Sequence, residues 1–544
     1  MGSTESANLI PMATDPLGNL YLAYLSDQDP SGLDVVSVDP EGNLRWVKRL
    51  PESPHDSGRD ARLVFRSGEL LIFWLDSSRV YLQAVSPDGE FQGDLRLLTE
   101  GIEVGTFDLA QHGDDELVLW FAGSSDEPGL YARDLLEPGA ASVLVDPGGV
   151  QPDVAVDEYG VTHVVWMSAP VHVQDVQIRY QAFLPGYLAP ADPPVVIETD
   201  FTTTDEIEPA TLGIDKYYAY IFWTAIIHTG LRAGAIDSFY LSFPFIDPDE
   251  RHSGQLFYPM SYELTFDQPA PAGGVHVGPR LAWSDSSFGS DQVREVLPAS
   301  SLRAETGLVF RPRVLTRSGQ NQAQISAMYL SGGSVESYQL ITFTNTASMH
   351  PNLIFDADGY AFISWLELTD VRKYSVYIAT TKPSFRMNFD QLTSGDFRQM
   401  AGDTAFGMVS GIILIPIAFL WMILPLASLG LTSFLRRKET RLLAPGHLIS
   451  LALAVAIYWA LKLGIFSNLR STVPFVQWIP ILPHSWYPWL QFGVPFLGSL
   501  LAAIVTIWIM RRTERTSPVI AFLIYGLIDG FITVAFYGGS LFGM

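Results

Sequence analysis

The sequence predicts an all-β propeller of seven blades, with eight as the alternative, followed by an α-helical membrane domain of four transmembrane helices. Three observations predict it. First, an apolar strand, a turn of Asp and Gly character and a second apolar strand ending in a bulky residue restart along the chain, mostly about 40 to 60 residues apart, the period of a four-stranded blade. Second, residues 1–400 carry 24 Lys and Arg against 54 Asp and Glu, a balance of −30, whereas residues 401–544 carry 9 against 4, a balance of +5. Third, the basic part holds four long apolar stretches. The expected division is an extracytoplasmic propeller over 1–395 and a transmembrane domain over 396–544.

The restarts begin with "PMATDPLGNLYLAYLS" (11–26), "ARLVFRSGELLIFWLD" (61–76), "FDLAQHGDDELVLWFAG" (107–123) and "PDVAVDEYGVTHVVWMS" (152–168). They continue with "PATLGIDKYYAYIFWTA" (209–225), "PRVLTRSGQNQAQISAMYL" (312–330) and "PNLIFDADGYAFISWLE" (351–367). The bulky position falls to Tyr24, Trp74, Trp120, Trp166, Trp223, Met328 and Trp365. Gly tolerates positive φ and Asp bonds back to its own backbone, so these residues suit the tight turn, while the aromatic packs between blades. Third strands follow, as in "RVYLQAVS" (79–86) and "YSVYIAT" (374–380), with the period-two alternation of half-buried strands. The step from Trp223 to Met328 is about double the usual one. It predicts an insertion over 245–310; the alternative is an eighth hairpin, "GVHVGPRLAWSDS" (274–286).

The pattern resembles the broad β-propeller superfamilies at the level of fold. "SVDPEGNLRW" (37–46) is similar to the outer strands of quinoprotein-type repeats, and the hairpins are similar to sialidase-like wheels. No stretch matches the sialidase Asp-box order of Ser, Asp, Gly, Thr and Trp, although "FRPR" (310–313) is faintly similar to that family's arginine motif. Function does not follow from such a fold.

The apolar stretches 404–435, 442–466, 485–510 and 516–541 are each long enough to cross a hydrocarbon core of about 30 Å. Arg436, Arg437, Lys438 and Arg441 lie between the first two, and Arg511, Arg512 and Arg515 between the last two; the intervening loop holds only Arg470. The positive-inside rule then puts both basic loops in the cytoplasm and the propeller outside, with Trp478, Trp486, Tyr487 and Trp489 as an outer aromatic belt. "MGSTESANLI" lacks basic and apolar signal regions, so an export segment ahead of this chain is expected in the precursor. Lys462 and Asp529 fall within apolar stretches and form a candidate intramembrane charge pair. Gly407 with Gly411, and Gly526 with Gly530, have the spacing that lets helices approach closely.

Composition narrows the chemistry. The acidic propeller disfavours nucleic acid as a partner. No Cys is present, which removes disulfides and thiolate chemistry, and the HExxH, P-loop, GxGxxG and GxSxG patterns are missing. In "DQDPSGLD" (27–34), Asp27, Asp29 and Ser31 alternate before Gly32, and Asp34 follows; this is a candidate calcium loop, with Val38 where a helix-loop-helix site has its bidentate acid. Calcium is the one cofactor suggested. The preferred expectation is a non-enzymatic recognition or scaffold subunit in the lipid bilayer, with a membrane protein partner and a glycan or peptide ligand. The alternatives are a surface-held propeller enzyme acting on glycans and a transporter or channel subunit. Carboxylate pairs lining the central funnel at glycosidase separations would favour the enzyme.

Overall fold

The computed structural model describes the chain apart from residues 1, 5, 28–31, 51–59, 125, 138, 169–175, 191–192, 199–204, 260–279, 284–288, 291–292, 316–320, 343, 345, 371, 390–393, 413–414, 436–444, 466–483, 514–516 and 542–544. Two units divide it: residues 1–265 with 275–390, and residues 391–544 with 266–274.

The first unit is a seven-bladed propeller. Blade 1 runs Met12–Thr14, Leu20–Leu25, Leu33–Val38 and Leu44–Arg49, each strand antiparallel to the next. Blades 2, 3 and 4 repeat this order from inner strands Ala61–Arg66, Val104–His112 and Gly149–Val156. In blade 5 the inner strand is broken into Asp205–Ile207 and Thr211–Ile214, both paired with Tyr218–Ile227. Blade 6 starts at Val293–Pro298 and blade 7 at Ser348–Phe355. The inner strands neighbour one another in sequence order, and that of blade 7 returns to that of blade 1. Gly2–Thr4 supplies the outer strand of blade 7, pairing Gly2 with Val376 and Thr4 with Tyr374.

The turns form as their side chains dictate. Asp15 Oδ1 accepts the Leu17 and Asn19 N–H groups at 3.0 and 2.8 Å while Gly18 takes φ 83°. Asp157 does the same for Tyr159 and Val161 at 2.8 and 2.9 Å. The second carboxylate oxygen ties the turn to the blade: Asp15 Oδ2 accepts from Tyr21 at 2.9 Å and Asp215 Oδ2 from Tyr220 at 2.6 Å. Trp74, Trp120, Trp166 and Trp365 are buried at the equivalent point of each second strand, and truncating such a residue typically costs about 3–5 kcal/mol.

Blade 6 departs from the expected register. Its second strand is Glu305–Leu315, so Phe310 takes the aromatic position, and Met328 belongs to the third strand, Ser326–Ser331. The turn ahead of Phe310, residues 299–304, lacks Asp and Gly, whereas the "TRSGQ" further on carries the Ser-Gly pair that the hairpin pattern looks for. Six described strands fall at least partly within 245–310: His252–Leu256 closes blade 5, Tyr258–Pro259 pairs with Gly289–Ser290, Leu281–Ala282 lies between them, Val293–Pro298 opens blade 6, and Glu305–Leu315 begins there. Within the candidate eighth hairpin, Leu281–Ala282 pairs with Ser337 and Tyr338 as an extra outer strand on blade 6.

The second unit is helical: Ser394–Ile412, Ile415–Leu435, Pro445–Ile465, Tyr487–Arg512 and Pro518–Leu541. Among the described residues two spans, Tyr487–Arg512 and Pro518–Tyr537, are long and apolar enough to cross a membrane, against the four expected. Within the 21-residue helices Ile415–Leu435 and Pro445–Ile465, the apolar stretches found among the described residues, Phe419–Leu435 and Leu448–Lys462, are shorter. The core joins Trp421, Met422, Ala454, Tyr458, Ala502, Phe522 and Val534. A Cβ on Gly411 would lie 2.3 Å from the Val534 carbonyl oxygen, so this glycine permits close backbone approach between helices. Arg436, Arg437, Lys438, Arg441, Arg470, Trp478 and Arg515 lie outside the described residues.

Candidate functional site

Inner strands of the propeller carry a recurrent irregularity. The pairing register shifts between Val150 and Asp153, between Arg294 and Leu297, and between Met349 and Asn352. Inside these bulges Gln151, Glu295 and His350 take φ of 53°, 52° and 51°, conformations uncommon for non-glycine residues. In blade 5 the corresponding break holds Glu208. A bulge turns one side chain out of the ordinary alternation, and strained backbone of this kind clusters at functional sites.

Glu295, Arg311 and His350 meet where blades 6 and 7 adjoin. Arg311 Nη2 lies 2.9 Å from Glu295 Oε1, the backbone N–H of His350 donates to Glu295 Oε2 at 2.7 Å, and His350 Nδ1 is 3.8 Å from Oε1. Their side chains keep 21%, 22% and 27% exposure, so solvent reaches all three. Burial pushes the His350 imidazole below its usual value; the Glu295 charge opposes that and the Arg311 charge adds to it, leaving an uncharged ring at neutral pH. Burial pushes the Glu208 carboxyl up; Arg294 and Arg311 pull it back and the Glu295 charge raises it further. The group thus combines a carboxylic acid inclined to keep its proton, an uncharged imidazole and two guanidinium groups, a set suited to acid–base chemistry.

A second polar group joins the inner strands of blades 2 to 5. Arg62 Nε donates to Asp108 Oδ1 at 2.8 Å, and the Val154 N–H donates to Asp108 Oδ2 at 2.9 Å. The Leu212 N–H donates to Asp153 Oδ2 at 2.6 Å. Burial and the nearby Asp108 charge raise the Asp153 carboxyl well above its ordinary value.

The candidate calcium loop is only partly visible. Asp29 and Ser31 lie outside the described residues. Asp34 takes Arg49 Nε and Nη2 at 2.7 and 3.1 Å, and Asp27 Oδ2 is 3.9 Å from Lys373 Nζ. Among the described residues no group of three or more His, Asp or Glu could hold a metal ion.

In the helical unit Lys462 and Asp529 come together. Lys462 Nζ donates to Asp529 Oδ2 at 2.7 Å, and each residue is 1% exposed. Tyr458 donates to the same oxygen at 2.6 Å and Ser499 to Oδ1 at 2.5 Å. Tyr525 donates in turn to Ser499 at 3.2 Å, and the ammonium group lies 4.8 Å from the centre of the Trp459 ring.

The axial cluster has a sequence signal that the hairpin pattern passes over. Ile10, Gln151, Glu208 and His350 each stand immediately before the proline that opens a restart. Proline offers no N–H to the ladder, so this dipeptide suits a bulge. Blade 6 lacks the proline, and Arg311 lies within "FRPR".

No protein family matches the chain, and no curated protein matches it in sequence. Solved structures similar to it include an ulvan lyase, at 10% identity over 69% of this chain and 95% of that one, with a TM-score of 0.45. The α-L-arabinanase of Penicillium chrysogenum is similar at 12% identity over 69% and 93%, TM-score 0.36. The α-L-arabinofuranosidase of Fusarium graminearum is similar at 10% over 70% and 94%, TM-score 0.37. No residue role passes from them to this chain.

Proposed function

We propose that the chain is a membrane-anchored propeller enzyme that acts on glycans through the axial cluster of blades 5 to 7. The observation that carries this reading is the joining of Glu295, Arg311 and His350 beside Glu208, with solvent access and with burial driving Glu208 and His350 toward their uncharged forms. In this reading Glu208 gives a proton to the sugar oxygen that leaves, and His350 takes one as an uncharged base. Arg311 and Glu295 hold each other and the imidazole in place, so Glu295 is a positioning residue.

The detergent-purified full chain, incubated with neutral and acidic polysaccharides, is expected to release new chain ends. Glu208→Gln and His350→Ala are each expected to slow that release about 100-fold or more, the usual weight of a positioned acid or base. Release of chain ends at the wild-type rate by both variants contradicts the assignment. Turnover of no polysaccharide removes the enzyme reading and leaves the recognition or scaffold subunit. The tied helices support that second reading, because a tether alone calls for one helix and no buried ion pair.

A further inference from the structure

We propose that the axial site takes a saccharide bearing a carboxylate, a uronate unit, and that Arg294 is the side chain that pairs with it. This rests on the glycan-acting reading above.

Arg294 is the cross-strand partner of Arg311 in the inner hairpin of blade 6. Like charges directly opposite one another destabilise a sheet unless each is compensated. Arg311 is compensated by Glu295 at 2.9 Å. For Arg294 no carboxylate lies within ion-pair distance among the described residues, and its buried Nε–H has no hydrogen-bond acceptor there. Leaving such a donor unpaired inside a protein is costly.

A shortage of carboxylates does not explain it, since residues 1–400 hold 54 acids for 24 bases. Three other partly buried arginines of the propeller have carboxylates, Arg49 from Asp34, Arg62 from Asp108 and Arg179 from Asp146, while Arg66, whose Nε is also unpaired, donates through Nη2 to the Asp114 backbone oxygen. The Arg294 charge is also near enough to lower the Glu208 carboxyl, beyond ion-pair distance from it. With Arg311 neutralised by Glu295, one positive charge is left over, which matches a monoanion. The planar fork of a guanidinium fits a carboxylate through two parallel N–H···O bonds.

Calorimetric titration of the full chain in detergent with short oligomers of galacturonate and of glucuronate, and with their carboxyl-reduced counterparts, tests the assignment. The wild type is expected to bind at least one acidic oligomer about 10-fold or more tightly than its reduced counterpart, as a charged hydrogen-bonded pair supplies. Arg294→Gln is expected to abolish that preference and Arg294→Lys to keep part of it, with a melting temperature at or above that of the wild type for Arg294→Gln, which removes the uncompensated charge opposite Arg311. Equal wild-type affinity for acidic and reduced oligomers overturns the inference and leaves the glycan reading intact. A preference that survives in Arg294→Gln overturns the role of Arg294. Should Arg294→Gln melt early, Arg294→Lys decides: full preference with a lysine point charge contradicts the forked pairing. Binding of no oligomer overturns the inference, and the glycan reading then stands or falls by the release of chain ends from the wider set of polysaccharides.

Discussion

Asp153 shows how much the axis depends on individual protons. Its carboxyl accepts the Leu212 N–H while burial and Asp108 hold its pKa above that of an unfolded chain. The sign of the pH effect follows. A group with a raised folded pKa gives its full stabilisation below the unfolded value and loses it as pH climbs through the folded value. The wild-type melting temperature is therefore expected to fall across that window, and Asp153→Asn, which can still accept from Leu212, is expected to flatten the fall. Identical pH profiles for the two proteins would contradict this. At the same scale, legibility in the sequence was uneven. Asp15, Asp157 and Asp356 announce themselves because each precedes a turn glycine, whereas Glu208 and His350 are single residues before a proline, with nothing local to say that they face the axis. Glu295 had no local signal at all, since its role depends on a partner strand.

Among the elements, the helices are tied by a polar centre spread over Pro445–Ile465, Tyr487–Arg512 and Pro518–Leu541. Breaking a buried pair by removing one partner leaves the other charge uncompensated. Asp529→Asn is expected to destabilise the helical unit by about 3–5 kcal/mol in detergent-denaturation titrations, whereas the double change Lys462→Met with Asp529→Leu recovers most of that loss. Wild-type stability in Asp529→Asn contradicts the pairing as a source of helix cohesion. The pair itself was legible, because Lys and Asp interrupt otherwise apolar stretches. Tyr458, Ser499 and Tyr525 were not, since such residues are ordinary in apolar helices. Strands follow a similar rule. Six second strands were placed by their aromatic residue, and the seventh was missed because Phe310 follows a turn without Asp or Gly.

For the whole molecule, an acidic propeller joined to a basic helical region suggests an orientation. Arg511 and Arg512 end Tyr487–Arg512, and the positive-inside rule favours the cytoplasm for that end. Protease added to intact cells is expected to cut the propeller, and protection of the propeller until the membrane is opened contradicts the orientation. The wheel's closure has its own consequence. Gly2–Thr4 pairs with Lys373–Thr380, and Pro383–Phe389 begins three residues later. During synthesis the strand that finishes the ring is made before every other strand of the wheel and is the last to find its place. Until residue 376 has emerged, the nascent chain can only be an open arc with two bare edges, the kind of template that invites pairing with other chains. The start of the propeller must therefore be kept waiting, guarded from its neighbours, until synthesis has almost reached the helices.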